Sequence, residues 1–139
     1  MTQLTHGDAQ DLLATWKRGW ETRNPDVIVE LFDRDADYRP QPFVEPLIGA
    51  NAIRAHWNEI VAAQAHVDFD AEHTWVSGSA VLTSWHAAYT LRRTGERIRA
   101  YGFMTFELGE DGRVRRFRGW PVERVVGRDA KFLPEGGDE

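Results

Sequence analysis

Residues 35–57 read DADYRPQPFVEPLIGANAIRAHW, and this stretch decides the fold. Ala36 and Tyr38 alternate with charged neighbours, as in a strand with one face buried. Pro40, Pro42 and Pro46 have no N–H to give to a sheet ladder, so the strand ends near Arg39 and the next residues are loop or sheet edge. Gly49 frees the backbone to enter a helix, ANAIRAHWNEIVAAQ, whose inward stripe is Ile53, Trp57, Ile60 and Val61. A strand, a proline-punctuated loop and a helix thus follow within one short segment.

Upstream, Asp8 can cap a helix over AQDLLATWKRGWETR, where Leu12, Leu13, Trp16, Gly19 and Trp20 recur at helical spacing. Asn24 followed by Pro25 stops this helix and starts a second, PDVIVELF, buried through Val27, Ile28, Leu31 and Phe32. Downstream, from about His66, the pattern turns to alternation. Strands are expected near 66–76, 80–92, 96–108 and 113–122, with turns at Ser77-Gly78, Thr94-Gly95 and Glu110-Asp111-Gly112. The order predicts an α+β fold: a cone-shaped, curved antiparallel sheet wrapped around three N-terminal helices, with a cavity between helices and sheet. One domain spans residues 1–139, with its core at about 8–122 and a tail at 127–139 that frays at its end.

Composition narrows the function classes. Hydrophobic residues at 42% against 28% charged exclude a mostly disordered chain. No stretch approaches the length of a membrane span, and the N-terminus lacks the basic and apolar regions of a secretory signal. The absence of Cys removes disulfides, thiolate metal sites and Cys nucleophiles, and fits a cytoplasmic location. A net charge of -5 disfavours nucleic acid and anionic lipid. Eight Arg do fall between Arg92 and Arg118, but acidic residues are interspersed and no nucleic-acid motif accompanies them, so cross-strand ion pairs at a dimer interface explain them better. Six Trp and seven Phe point to a roomy interior lined by aromatics.

Three pieces, LF-x-x-x-A-x-Y at 31–38, G-x-x-A-I-R-x-x-W at 49–57 and G-R-V-x-x-F-R-x-W at 112–120, resemble in order and spacing the nuclear transport factor 2-like (cystatin-like) superfamily and its SnoaL-like group. The resemblance covers roughly residues 8–122 and implies the cone fold, which hosts isomerases, dehydratases, hydrolases, cyclases and non-catalytic proteins. In steroid isomerases of the fold, the general-base Asp position corresponds to Pro40, the oxyanion-stabilising Tyr to Trp16 and the protonated Asp to Met104. That constellation is absent. In the fold's epoxide hydrolases, the Tyr corresponds to Tyr38, but the Asn falls on Pro40 and the last-strand Asp on Gly119. The sequence looks most similar to SnoaL-like members with a P-F-x-x-P loop and no assigned reaction.

The same match directs His56 into the pocket beside Tyr38, so the candidate catalytic groups are His56, as base or acid, and Tyr38, as hydroxyl donor. His86 is a third candidate; alternation puts it with Ser84 and Ala88, opposite Val81, Thr83, Trp85, Ala87, Tyr89 and Leu91, without saying which face lines the cavity or meets a partner. Trp16, Trp20, Trp57, Met104, Phe106 and Phe117 are the expected substrate-binding wall. No metal or cofactor is expected. His66, Asp68, Asp70 and Glu72 read as a solvated strand face. Asp33, Asp35 and Asp37 imitate a calcium loop, but Tyr38 stands where Gly is required and no Glu follows at the twelfth position. The expected function is a pocket protein for a small hydrophobic molecule, performing cofactor-independent isomerase, cyclase or dehydratase chemistry on a hydrophobic carbonyl compound. The alternative is a non-catalytic ligand-binding or dimerisation module. A homodimer through the outer sheet face is expected in either case.

Overall fold

The structure, a computed structural model, describes residues 3–130. Helix α1 spans His6–Glu21 and begins earlier than expected, because Thr5 and not Asp8 is its cap. The Thr5 hydroxyl accepts from the Asp8 N–H at 3.0 Å and the Asp8 carboxylate accepts from the Thr5 N–H at 2.9 Å, a reciprocal box in which Asp8 is the third helical residue. The expected stripe of Leu12, Leu13, Trp16, Gly19 and Trp20 is buried. Helix α2, Pro25–Val29, is capped by the Asn24 side chain. It is shorter than its apolar pattern suggests, since Phe32 already opens strand β1, Phe32–Arg39.

Strand β2, Leu47–Ile48, is a two-residue edge pairing with Tyr38 and Asp37, all that the proline-rich segment can contribute to a ladder. Gly49 then sits at φ 96°, where a side chain would be strained, and leads into α3, Ala50–Ala63. Ile53 and Trp57 are buried on α3, with Ile60 and Val61 packed against the core. Strands β3 (Gln64–Ser77), β4 (Ala80–Leu91), β5 (Glu96–Leu108) and β6 (Val114–Arg128) form the three expected antiparallel hairpins.

The sheet order is β2-β1-β6-β5-β4-β3, curved and unclosed, with β2 and β3 as edges. It is mixed and not purely antiparallel, because β1 lies parallel to β6 with Tyr38 level with Phe117. That pairing brings the opening stretch of the sequence against the last strand and sets the site. Inward-facing Val81, Thr83, Trp85, Ala87 and Tyr89 on β4 and Ile98, Ala100, Met104 and Phe106 on β5 meet α1 and α3. No helix among the described residues is long and apolar enough to cross a membrane.

Candidate functional site

The parallel β1/β6 pair puts Tyr38 on the concave side, its ring stacked on Phe117 with centroids 4.5 Å apart and planes 14° from parallel. Phe117 also stacks with Trp16 from α1 at 5.3 Å, and Trp16 meets Phe106 and Trp57 edge-on, each at 5.3 Å. Trp57 continues edge-on to Trp20 at 5.8 Å. Met104 is buried on the same concave face of β5. The expected wall of Trp16, Trp20, Trp57, Met104, Phe106 and Phe117 is therefore brought together, but as a packed cluster whose rings fill one another's gaps. Offset-stacked and edge-to-face ring pairs are favourable, so such a set closes on itself when nothing separates it.

Around Tyr38 and Trp16, three polar features interrupt this apolar mass; farther along it the Trp20 indole N–H donates to Gln64 at 2.8 Å and that of Trp85 is buried without an acceptor. The Trp57 indole N–H donates to the Tyr38 hydroxyl at 3.0 Å, joining α3 to β1. Burial pushes the Tyr38 phenol well above the usual tyrosine range, and the Trp57 bond only partly opposes it. Tyr38 thus stays protonated near neutral pH, with its oxygen already accepting one bond and its O–H free to donate. Second, His56 is half-buried with its ring centroid 5.5 Å from that of Tyr38, and no described side chain is hydrogen-bonded to its ring. Third, the Trp16 indole N–H is buried with no acceptor. A donor left unpaired in a core costs about 1–3 kcal/mol.

Burial holds His56 below the ordinary histidine value of 6.5, with the Glu59 charge opposing. Its imidazole is neutral at pH 7, a proton acceptor beside a proton donor. Because the folded-state value is the lower one, the unfolded chain takes up the proton first. The His56 contribution to stability is therefore complete above pH 6.5, is lost as pH falls below it, and levels off beneath the folded value. His56→Gln is expected to flatten the fall in Tm between about pH 7 and pH 5. An unchanged slope would mean that His56 is solvated in the folded state.

His86 is not part of this group. The register of β4 turns it to the outer face, where its Nδ1 lies 2.8 Å from Glu72 and its Nε2 3.8 Å from Asp70. Alternation alone could not say this, because both faces of β4 have half-apolar character. Asp68, Asp70 and Glu72 are exposed as expected, and no cluster of metal-ligating side chains occurs among the described residues. A surface cavity of about 770 Å³ lies elsewhere, between the first half of α1 and the turns after β3 and β5, bordered by Asp11, Leu12, Leu108 and Arg115. It contains neither Tyr38 nor His56. The sequence reading missed the Trp57–Tyr38 bond and the unpaired Trp16 donor; the three aromatics were visible, but their contacts depend on helix placement.

Residues 13–117 match the SnoaL-like domain, and the chain belongs to that family. No curated protein matches the sequence. Among solved structures, SalBIII, described as an epoxide hydrolase/cyclase-like enzyme with a role in pyran ring formation in the polyether salinomycin, is 21% identical. It superposes with a TM-score of 0.76 over 86% of this chain and 97% of its own. An LEH-like epoxide hydrolase of M. tuberculosis gives 0.70 at 15% identity, covering 84% of each chain. RV0760c from Mycobacterium tuberculosis gives 0.72 at 15% identity, covering 88% of this chain and all of that one. At these identities the similarity establishes the fold.

Proposed function

We propose that this SnoaL-like protein binds a small hydrophobic molecule carrying a carbonyl or ether oxygen on the concave face of the sheet, and acts on it by cofactor-independent acid/base chemistry. The observation that carries the proposal is the unpaired Trp16 N–H, buried among Phe106, Phe117 and Trp57. An oxygen placed beside it removes the penalty of the unpaired donor, and an apolar body displaces ring contacts with contacts of the same kind. By the resemblance read from the sequence, Trp16 corresponds to the oxyanion donor of the fold's steroid isomerases, so an indole would serve there in place of a phenol. Tyr38 would donate its O–H to oxygen as charge develops, and neutral His56 would move the proton.

The solved structures with hydrolase or cyclase activity are consistent with ring-opening, ring-closing or isomerising reactions, and the loss of the paired carboxylates points away from simple copies of the known schemes. A second reading, ligand binding without turnover, is favoured by the close packing of the aromatic cluster. Both can be tested by titrating the protein with an aromatic methyl ketone and an aryl epoxide while following tryptophan fluorescence, with product analysis alongside. Trp16→Phe is expected to weaken binding about tenfold, the equivalent of one hydrogen bond. His56→Ala is expected to bind and lose turnover. Undiminished affinity in Trp16→Phe would overturn the proposed site, and turnover undiminished in His56→Ala would overturn the chemistry.

A further inference from the structure

The proposed site occupies one end of the concave face, and the same face carries two further polar groups beyond it. Strand register fixes their places. Trp85, Gly102 and Pro121 form one row across β4, β5 and β6, and Ala87, Ala100 and Glu123 form the next. Trp85, Ala87 and Ala100 are buried, so both rows face the helices. Glu123 stands directly opposite Ala100 and shares that face. Along this face of β6, Gly119 is buried, Pro121 partly buried and Glu123 exposed. The concave face therefore opens to solvent at this end.

The first group is the Trp85 indole N–H, buried without an acceptor. Its ring leans from β4 onto β5, where Cζ2, Cε2 and Nε1 would lie 2.5, 2.7 and 2.9 Å from a Cβ at residue 102, so only glycine admits it. The contacts of this ring with Trp20 and Phe69 are apolar and give no use to the N–H. The second group is the Glu123 carboxylate, which accepts from the Tyr89 hydroxyl at 2.9 Å and pairs with no cation among the described residues. Burial, with the Glu123 bond and charge in support, holds the Tyr89 phenol above the usual tyrosine range, so Tyr89 keeps its proton and is the donor. Tyr89 is itself packed against Trp20, with ring centroids 6.2 Å apart, and so aims the carboxylate. A carboxylate offers about four acceptor positions, and Tyr89 takes one.

An unpaired donor and an open acceptor in adjacent rows, against an apolar wall, are complementary to a hydroxyl group, which accepts and donates at once. We propose that Trp85 and Glu123, with Tyr89 positioning the carboxylate, form a second subsite that takes a hydroxyl at the far end of the substrate. This inference rests on Trp16, Tyr38 and His56 as the reacting end, and it adds the shape of the substrate. Tyr38 is level with Phe117, and from Phe117 to Pro121 β6 advances four residues, about 13 Å at about 3.3 Å per residue. The substrate class is an elongated apolar molecule with a carbonyl or ether oxygen at one end and a hydroxyl about 13 Å away. Glu123 lies too far along the strand to touch the reacting oxygen, so its part is selection and not proton transfer.

The test uses a matched pair of probes, para-(ω-hydroxyhexyl)acetophenone and para-hexylacetophenone, titrated into the full chain while tryptophan fluorescence is followed. Wild type is expected to bind the hydroxyl probe about tenfold more tightly than the hexyl probe. Glu123→Ala should remove that preference and leave affinity for the hexyl probe unchanged; Glu123 is exposed, so Tm should stay near wild type. Glu123→Gln still offers Tyr89 an acceptor, yet it should reduce the preference severalfold because the hydroxyl loses a charged partner. Trp85→Phe keeps an aromatic ring at that position without the N–H and should lower the preference as well. Trp16→Phe should weaken both probes alike and leave their ratio intact, which separates the two ends of the site. A preference that survives both Glu123 substitutions would mean that the carboxylate serves only Tyr89, and would overturn the subsite. Equal binding of the two probes by wild type would overturn it too, with the reacting end left standing. If wild type binds neither probe, the reading of the concave face falls and the subsite falls with it.

Discussion

Phe106→Ala is expected to lose about 3–5 kcal/mol of folding stability. Phe106 has no exposed surface, faces Phe117 across β5 and β6 at a ring distance of 5.1 Å, and receives the edge of Trp16 at 5.3 Å. Deleting the ring removes its transfer free energy and leaves a hole that strands on both sides hold open. In a domain of this length each kcal/mol moves Tm by roughly 3–4 °C, so Tm should drop by roughly 10–20 °C. The size of the loss also reports on the interior. A ring that lines an already empty cavity has forfeited contacts on one side, and its removal would cost well under about 3 kcal/mol. The urea midpoint of Phe106→Ala therefore separates a filled concave face from an open one. Benzene, which enters dry apolar cavities, should recover part of the lost Tm in the first case.

That distinction lay beyond the sequence, for a definite reason. Periodicity reports which face of an element is apolar, and it placed the α1 stripe and the alternation of Val81, Thr83, Trp85, Ala87 and Tyr89 correctly. It does not report the distance between two apolar faces, so Trp16, Phe106 and Phe117 read equally well as walls or as filling. Partner choice was hidden too. Tyr38 and Phe117 are far apart in the chain, and only the parallel β1/β6 pairing makes them neighbours. The boundaries that shifted did so where one residue satisfies two patterns. Asp8 can cap a helix or answer a capping Thr5, and Phe32 continues the stripe of α2 while also opening β1. The orphaned Trp16 N–H and the opposition of Arg99 to Arg124 are consequences of packing and register, respectively. The cluster's composition was legible; its polar geometry was not.

Gly119→Asp is expected to be the most damaging change on the last strand, although it restores the residue that epoxide hydrolases of this fold carry there. A Cβ at Gly119 would lie 2.8 Å from the Pro40 carbonyl oxygen and 3.4 Å from its carbon. These are backbone atoms and cannot swing aside. Gly119→Ala alone should therefore cost about 1–3 kcal/mol through overpacking. The carboxylate adds burial of a charge beside a carbonyl oxygen that repels it, a further several kcal/mol unless it takes up a proton. Together these approach the whole stability of an ordinary domain, about 5–15 kcal/mol, so little soluble, folded protein should be recovered. Adding Pro40→Asn should not rescue it, since the obstruction is the carbonyl of residue 40, which any side chain there retains. A Gly119→Asp protein with a wild-type urea midpoint would show that the backbone at Pro40 withdraws easily. The segment at residues 40–46, with Phe43 fully exposed at its tip, would then be a door to the Tyr38 site. If the variant fails to fold, the chain has exchanged the hydrolase carboxylate for close packing of β6 against Pro40. The acid/base chemistry proposed above would then rest on Tyr38, His56 and the unpaired indole of Trp16.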